Sequence, residues 1–230
     1  VVYMPNKSVA ILLPTYNEEQ SIGKSIDQIR ELSKGQAETW RIVLVDSCST
    51  DKTVSIAKEK GIDQIIELSI RGKGIALKKA FEDLNDDYVF QIDCDMTYPI
   101  ESIPGMVEKL NTGSCDLVIG SRFRGKMEPD AMKSVNKIGN MMLNIIASTL
   151  YLHPISDGCS CLCGFNKKAY KSINVTAVHF EVECDMFAEA VKRGLRICEV
   201  PIDYRKREGQ TKLSIKYGFI DSWHLLKKRF

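Results

Sequence analysis

Asp93 and Asp95 stand two residues apart in QIDCDMTYP (91–99), directly after the apolar run YVFQI (88–92). Ionised carboxylates are costly to remove from water without partners, so a strand tip that carries two of them calls for a positive charge. Clustered hard oxygen donors bind Mg²⁺ or Mn²⁺, and such ions usually bridge to substrate phosphates. The competing explanation is local: Asp95 or Thr97 caps a helix opening at Pro99-Ile100-Glu101. That accounts for one aspartate and leaves the other unexplained. Three more polar segments follow apolar runs: Thr15-Tyr16-Asn17-Glu18 after VAILL (9–13), Asp46 after RIVLV (41–45), and the turn Arg71–Gly74 after QIIEL (64–68). Ligands of open parallel sheets bind outside the carboxyl ends of the strands, so these residues are expected on one rim.

A parallel sheet is what would position them. VAILL, RIVLV, QIIEL and YVFQI read as buried strands. Between the first two, Ile22, Ile26, Ile29 and Leu32 share a helical face, with Asn17 and Gln20 at capping-box spacing ahead of it. A second helix stops near Gly61, and a third runs from the RGKG turn to about Leu84. Such alternation predicts right-handed βαβ units. Beyond it, DLVIG (116–120), CLCGF (161–165) and RICEVPIDY (196–204) are strand-like, with one helix over 134–152 and another ending near Gly194. No linker interrupts the pattern. The expectation is a single α/β domain over 1–213, a mostly parallel central sheet flanked by helices. Its nucleotide-type half spans 8–110 and its acceptor-type half 111–213, and a C-terminal helix follows over 214–230.

The chain has 230 residues, long enough for a full core, and is 44% hydrophobic and 27% charged. Its net charge of +2 is too small to mark a nucleic-acid binder, and repeats and low-complexity tracts are absent. Eight cysteines form no CxxC pair. Those of CSCLC (159–163) are expected on one face of a strand as small hydrophobes, a metal site being the alternative. Free thiols on this scale imply a reducing, cytoplasmic setting. No secretory signal opens the sequence, and no run reaches the roughly 18 apolar residues of a spanning helix. MMLNIIASTLYL (141–152) comes nearest and is broken by Asn144, Ser148 and Thr149.

In this order, PTYNEEQSI (14–22), VDSCSTDKT (45–53), the aspartate pair and GSRF (120–123) resemble the family-2 glycosyltransferases, which have the Rossmann-like GT-A fold. Within that family, DGCSCLCGF (157–165) and REGQTKLS (207–214) are similar to the dolichyl- and polyprenyl-phosphate mannose and glucose synthases. The resemblance implies metal-dependent, inverting transfer of a hexosyl unit from a nucleotide diphosphate sugar to a dolichyl or polyprenyl phosphate. GDP-mannose, UDP-glucose and UDP-N-acetylglucosamine stay open as donors. By the same resemblance, Pro14, Tyr16, Glu18 and Asp46 cradle the base and ribose. Asp93 and Asp95 hold Mg²⁺ or Mn²⁺ on the diphosphate, and Asp157 lies near the reacting centre. Arg71 and Lys73, in a basic turn, are placed where they approach the same phosphates. The chain also departs from the pattern. Ser47 and Cys48 follow Asp46 where a second carboxylate is frequent, and Thr97 stands where an amide is common. Cys163 replaces a usual Ser, and Asn166 a frequent Arg.

A lipid phosphate needs cations. GSRFRGK supplies Arg122, Arg124 and Lys126, and YRKREGQTK supplies Arg205, Lys206, Arg207 and Lys212. Either cluster alone reads as a solvated basic face; in this frame Arg122, Arg207 and Lys212 are expected on the acceptor phosphate, gripped by paired hydrogen bonds from arginine. A phosphate monoester is mostly dianionic near neutrality, its second pKa being about 6, so it needs no general base. Asp157 is therefore assigned to orienting the acceptor or its cations, and counts with Asp95 and Arg207 as catalytic. Glu181 and Glu183 are further candidates, a helix-start carboxylate being the simpler reading of each. Two alternatives remain: a sugar hydroxyl acceptor with Asp157 as base, and a non-catalytic nucleotide-sugar-binding module. The tail, SIKYGFIDSWHLLKKRF (214–230), spaces Ile215, Phe219, Ile220, Trp223 and Leu226 as an amphipathic helix with a basic end. It either packs on the core or lies on the cytoplasmic face of a membrane. In the resembled family KKRF would flank a following membrane span.

Overall fold

The structure, a computed structural model, describes residues 6–207 and 216–230. Seven strands form one sheet in the order β3-β2-β1-β4-β6-β5-β7. They are β1 (Ser8–Thr15), β2 (Thr39–Asp46), β3 (Gln64–Glu67), β4 (Tyr88–Gln91), β5 (Leu117–Ser121), β6 (Cys163–Asn166) and β7 (Ile197–Pro201). The expected mostly parallel sheet is present: β1 runs parallel to β2 and β4, β2 to β3, and β5 to β7. Among the described strands only β6 runs against its neighbours, β4 and β5. Helices α1 (Ile22–Ser33), α2 (Thr53–Glu59), α3 (Lys73–Asp83), α4 (Ile103–Asn111), α5 (Ser134–Tyr151), α6 (Lys167–Ser172), α7 (Val182–Lys192) and α8 (Lys216–Arg229) flank it.

Alternation along β1 divides the core. Val9, Ile11 and Leu13 pack with Ile22, Ile26 and Ile29 of α1, whereas Ala10 and Leu12 face Ala76, Leu77 and Ala80 of α3. Every one of these side chains is fully buried. A sheet covered on both faces explains why its strands read as continuous apolar runs.

Three local expectations change. Asn17 and Gln20 form no capping box: α1 starts after Ser21 without a side-chain cap, and Asn17 Oδ1 accepts from Thr50 N at 2.8 Å. The CSCLC cysteines do not share a strand face, because β6 begins only at Cys163. Cys159 and Cys163 pack on one side of the sheet and Cys161 on the other. The aspartate pair caps no helix either: the 3-10 turn at Ile100–Ser102 has no side-chain cap.

Candidate active site

The loops leaving β1, β2 and β4 each turn through a residue in the left-handed region, Asn17 (φ 52°), Cys48 (φ 63°) and Met96 (φ 65°). That conformation costs a non-glycine residue roughly 1–2 kcal/mol, and such strain concentrates at functional sites. The first two loops are stitched together, Glu18 N donating to Thr53 Oγ1 at 2.7 Å and Asn17 N to Ser49 Oγ at 2.9 Å. A cavity of about 400 Å³ opens over the rim they form. Of the expected residues, Pro14, Tyr16, Glu18, Arg71, Lys73, Asp93, Asp95, Arg122 and Arg207 line it.

Asp46 does not line it. Its Oδ2 accepts from Ser49 N at 2.8 Å, and its Oδ1 from Ser49 Oγ at 2.5 Å and Thr15 Oγ1 at 3.3 Å. The buried carboxylate shapes the β2 loop from beneath, and its neighbour Ser47 reaches the cavity instead. On the β1 side, the Arg71 guanidinium stacks 3.7 Å from the Tyr16 ring centre, a flat cation–π platform.

Lys73 opens α3 and enters the site between two carboxylates, Asp93 Oδ1 at 2.8 Å and Glu183 Oε1 at 2.7 Å. Gln91 Nε2 holds the same Glu183 oxygen at 2.9 Å. Burial pulls the Lys73 ammonium pKa down, but the charges around it, Asp93 foremost, hold it well above its usual range. Burial likewise pushes the Asp93 carboxyl up, and Lys73 overrules it, so Asp93 stays low. Asp95 is raised by burial and by the charge of Asp93, against the pull of Arg207 and Thr97. Its Oδ1 accepts from Thr97 Oγ1 at 2.5 Å and Thr97 N at 3.1 Å, and its Oδ2 pairs with Arg207 Nη2.

The aspartate pair fits a divalent ion. Two carboxylates at one rim are the hard oxygen donors that Mg²⁺ or Mn²⁺ takes. Asp93 is the more open, its side chain 22% exposed against 4% for Asp95.

The acceptor-side arginines are less available than expected. Arg122 turns its fork inward, Nε to Asp157 Oδ2 and Nη2 to Asp157 Oδ1, both at 2.7 Å, and its backbone N donates to Oδ2 at 2.8 Å. Asp157 is 0% exposed, so neither a free bidentate grip by Arg122 nor proton abstraction by Asp157 is offered in this conformation. Arg122 still brings positive charge to the wall, its Cζ 5.4 Å from the Tyr204 ring centre. Arg124 Nη1 donates to Glu199 O at 3.3 Å and Arg205 pairs with Glu101; neither lines the cavity. Lys212 lies outside the described residues.

Several lining residues carried no local signal: Tyr98, Asn140, His179, Phe180, Tyr204 and Asp221. Tyr98 Oη accepts from Cys161 N at 3.0 Å and so fixes the loop before β6. His179 and Phe180 come from a loop that packs on the start of α3, where Gly74 N donates to Val178 O at 3.0 Å. A Cβ on Gly74 would stand 2.1 Å from Ala177 O, and one on Gly72 2.4 Å from Val178 O. Those glycines therefore admit the backbone that carries His179 and Phe180. Glu181, one of the further candidates, folds the same loop by accepting from Val178 N at 2.9 Å.

Comparison with known proteins places this arrangement. A glucosyl-3-phosphoglycerate synthase of Mycobacterium tuberculosis, solved with Mn²⁺ and uridine-diphosphate-glucose, superposes with a TM-score of 0.76 at 22% identity, over 97% of this chain and 79% of that one. The architecture is the GT-A fold of glycosyltransferases. Residues 10–173 match the family described as glycosyl transferase family 2, and the chain belongs to that family. Among curated relatives, the low-salt glycan biosynthesis hexosyltransferase Agl6 of Haloferax volcanii is 31% identical over 217 residues, 94% of this chain. The chain spans about half, 51%, of that relative's length. The dolichyl-phosphate hexose transferase of the same organism is 33% identical over 205 residues, covering 89% of this chain and 86% of the relative.

Proposed function

We propose that the protein transfers a hexosyl unit from a nucleotide diphosphate sugar to a polyprenyl or dolichyl phosphate, with inversion and with Mg²⁺ or Mn²⁺. The observation that carries the reading is the pairing of Asp157 with Arg122: the carboxylate that a hydroxyl acceptor would need as a base is wholly engaged, whereas a phosphate acceptor needs none. The similarity to the dolichyl-phosphate hexose transferase points the same way.

Tyr16, Glu18 and the Arg71 platform receive the nucleoside, with Pro14 and the Asp46-braced loop setting their positions. Asp93 and Asp95 hold the divalent ion, which when bound supplies charge neutralisation at the departing diphosphate. Lys73 adds a fixed positive charge beside the same carboxylates, already desolvated and oriented before substrate arrives. Arg207 orients the acceptor phosphate after leaving Asp95, and Lys212 joins it. Arg122 keeps the wall positive, its direction fixed by Asp157.

The lipid reading also draws on the outside of α5 and α8, two helices in contact through Tyr151 Oη and Leu225 O at 2.9 Å. They carry Asn140 and Asp221 into the cavity, yet leave Ile138, Met142, Ile145, Phe219 and Trp223 between 59% and 77% exposed. Among the described residues no helix is long and apolar enough to cross a membrane. An apolar face of this kind, with Lys133, Lys137, Lys227 and Arg229 exposed on the same helices or at their ends, suits a peripheral position on an anionic membrane surface.

The test is transfer of label from GDP-mannose, UDP-glucose and UDP-N-acetylglucosamine, each in turn, to a short polyprenyl phosphate, read in the organic phase. Metal-dependent extraction from one donor, lost in a folded Asp95→Ala variant, is expected. Transfer only to free sugar hydroxyls would overturn the acceptor; unchanged turnover in Asp95→Ala would remove the metal assignment.

A further inference from the structure

Cys159, Cys184 and Asp221 meet at the far wall of the cavity, brought there by the loop before β6, the first turn of α7 and the middle of α8. The two sulfurs are 3.1 Å apart, and a carboxylate oxygen of Asp221 lies within 4.8 Å of both. Asp221 is only 9% exposed, and among the described residues no group donates to its buried Oδ1. A buried carboxylate oxygen without a partner is costly, and two thiols beside it are the soft donors that a hard Mg²⁺ or Mn²⁺ passes over.

We propose that Cys159, Cys184 and Asp221 form a second metal site, selective for Zn²⁺, that ties α8 to the cavity wall. Sulfurs bound at about 2.3 Å to a tetrahedral zinc ion stand roughly 3.8 Å apart, so the pair opens by well under an ångström to admit one. Three protein ligands leave a fourth position, the pattern of an accessible rather than a closed zinc site. Because Cys159 and Asp221 line the cavity, that position faces it. Both thiols lose their protons to solvent as the ion binds, and so does the Asp221 carboxyl, which burial and the nearby Glu183 and Glu181 push up to about 8. The same event fixes the carbonyl of Cys159, which accepts from Arg122 Nη2 at 3.2 Å, and so couples the ion to the cationic wall. The aspartate pair at 93 and 95 is a separate, all-oxygen site. Neither site requires the other, and the zinc proposal stands whatever the transferred sugar or acceptor.

The experiment uses the metal-free full chain, under nitrogen, with saturating Mg²⁺ present, titrated with Co²⁺ and then competed with Zn²⁺. One equivalent of Co²⁺ should give the intense near-ultraviolet thiolate-to-cobalt absorption, and Zn²⁺ should abolish it. Asp95→Asn should keep the band. Cys184→Ser should lose it; because Cys184 is buried, Cys159→Ser at the half-buried position provides a second variant expected to fold and to lose it too. Asp221→Asn should weaken binding by at least about tenfold, the size that even outer-sphere changes at metal sites reach. No thiolate band in the parent protein, a band that survives both cysteine variants, or one that disappears in Asp95→Asn would each overturn the proposal.

Discussion

Asp157 gives both carboxylate oxygens to Arg122, and the two side chains are 0% and 7% exposed. Removing one partner of a buried pair strands the other charge, typically at a cost of about 3–5 kcal/mol. Asp157→Asn should lower unfolding stability on that scale and reduce transfer through the displaced Arg122. The paired change Arg122→Met with Asp157→Leu should recover much of the stability and none of the activity. Urea unfolding beside turnover separates this from a base role, which predicts an inactive Asp157→Asn protein of parental stability.

Lys73 answers two acids at once, so Lys73→Met has opposite effects on metal and on chemistry. Without the ammonium, Asp93 is freer to ligate, and Mn²⁺ should bind more tightly by electron paramagnetic resonance titration. Turnover should still fall by roughly 10²–10³-fold, the usual loss when one preorganised charge-stabilising donor is removed. Weaker Mn²⁺ binding in this variant would make Lys73 a brace for the aspartates rather than a partner of the donor.

Gly74→Ala forces a methyl against the carbonyl of Ala177. Overpacking of this kind costs about 1–3 kcal/mol. Here it should also push the His179–Phe180 loop off α3, raising KM for the donor more than it lowers kcat. A variant with parental KM would show that this loop is not part of the donor pocket.

The outer face of α5 and α8 can be tested with vesicles containing anionic lipid. Ile145→Glu with Trp223→Glu should weaken sedimentation with vesicles at least about tenfold, each large apolar side chain being worth roughly 1.5–3 kcal/mol when buried. Transfer to a short, water-soluble polyprenyl phosphate should change little. Equal vesicle binding by parent and variant would remove this face from the membrane reading.

Asp116 is the acid-sensitive knot of the second half. Its hydrogen bonds with Arg196, and others from Asn166, hold its carboxyl well below the usual carboxylate range. A depressed folded pKa stabilises the native state above the unfolded value of about 3.9, and that stability is lost as pH falls through the folded pKa. Asp116→Asn should therefore lower the urea midpoint at pH 7, with the gap to the parent closing below pH 4. A gap independent of pH would assign the effect to packing.

Much of this is legible in the sequence. The segments after the strands, which hold Tyr16, Glu18, Lys73, Asp93 and Asp95, follow from apolar runs that stop at polar residues, a signal written locally in the chain. The exceptions are residues whose partners the local pattern does not announce. Asp46 reads as a ligand residue because it ends a strand, yet Ser49 and Thr15 claim its carboxylate. Arg122 reads as a phosphate grip because nothing in GSRFRGK announces Asp157, 35 residues on. Cys161 and Cys163 read as one strand, but the chain extends only from Cys163. Asp221, inside an amphipathic pattern, gave no hint that it faces the cavity.

That last position has a consequence for how the protein comes into being. The strands β1, β3 and β4, after which Tyr16, Lys73 and the aspartate pair follow, lie with β2 in one part of the sheet early in the chain and can assemble while synthesis continues. The wall containing Asp221 belongs to α8, made well after the aspartate pair. A nascent chain can thus present a finished rim well before α8 arrives to enclose the cavity.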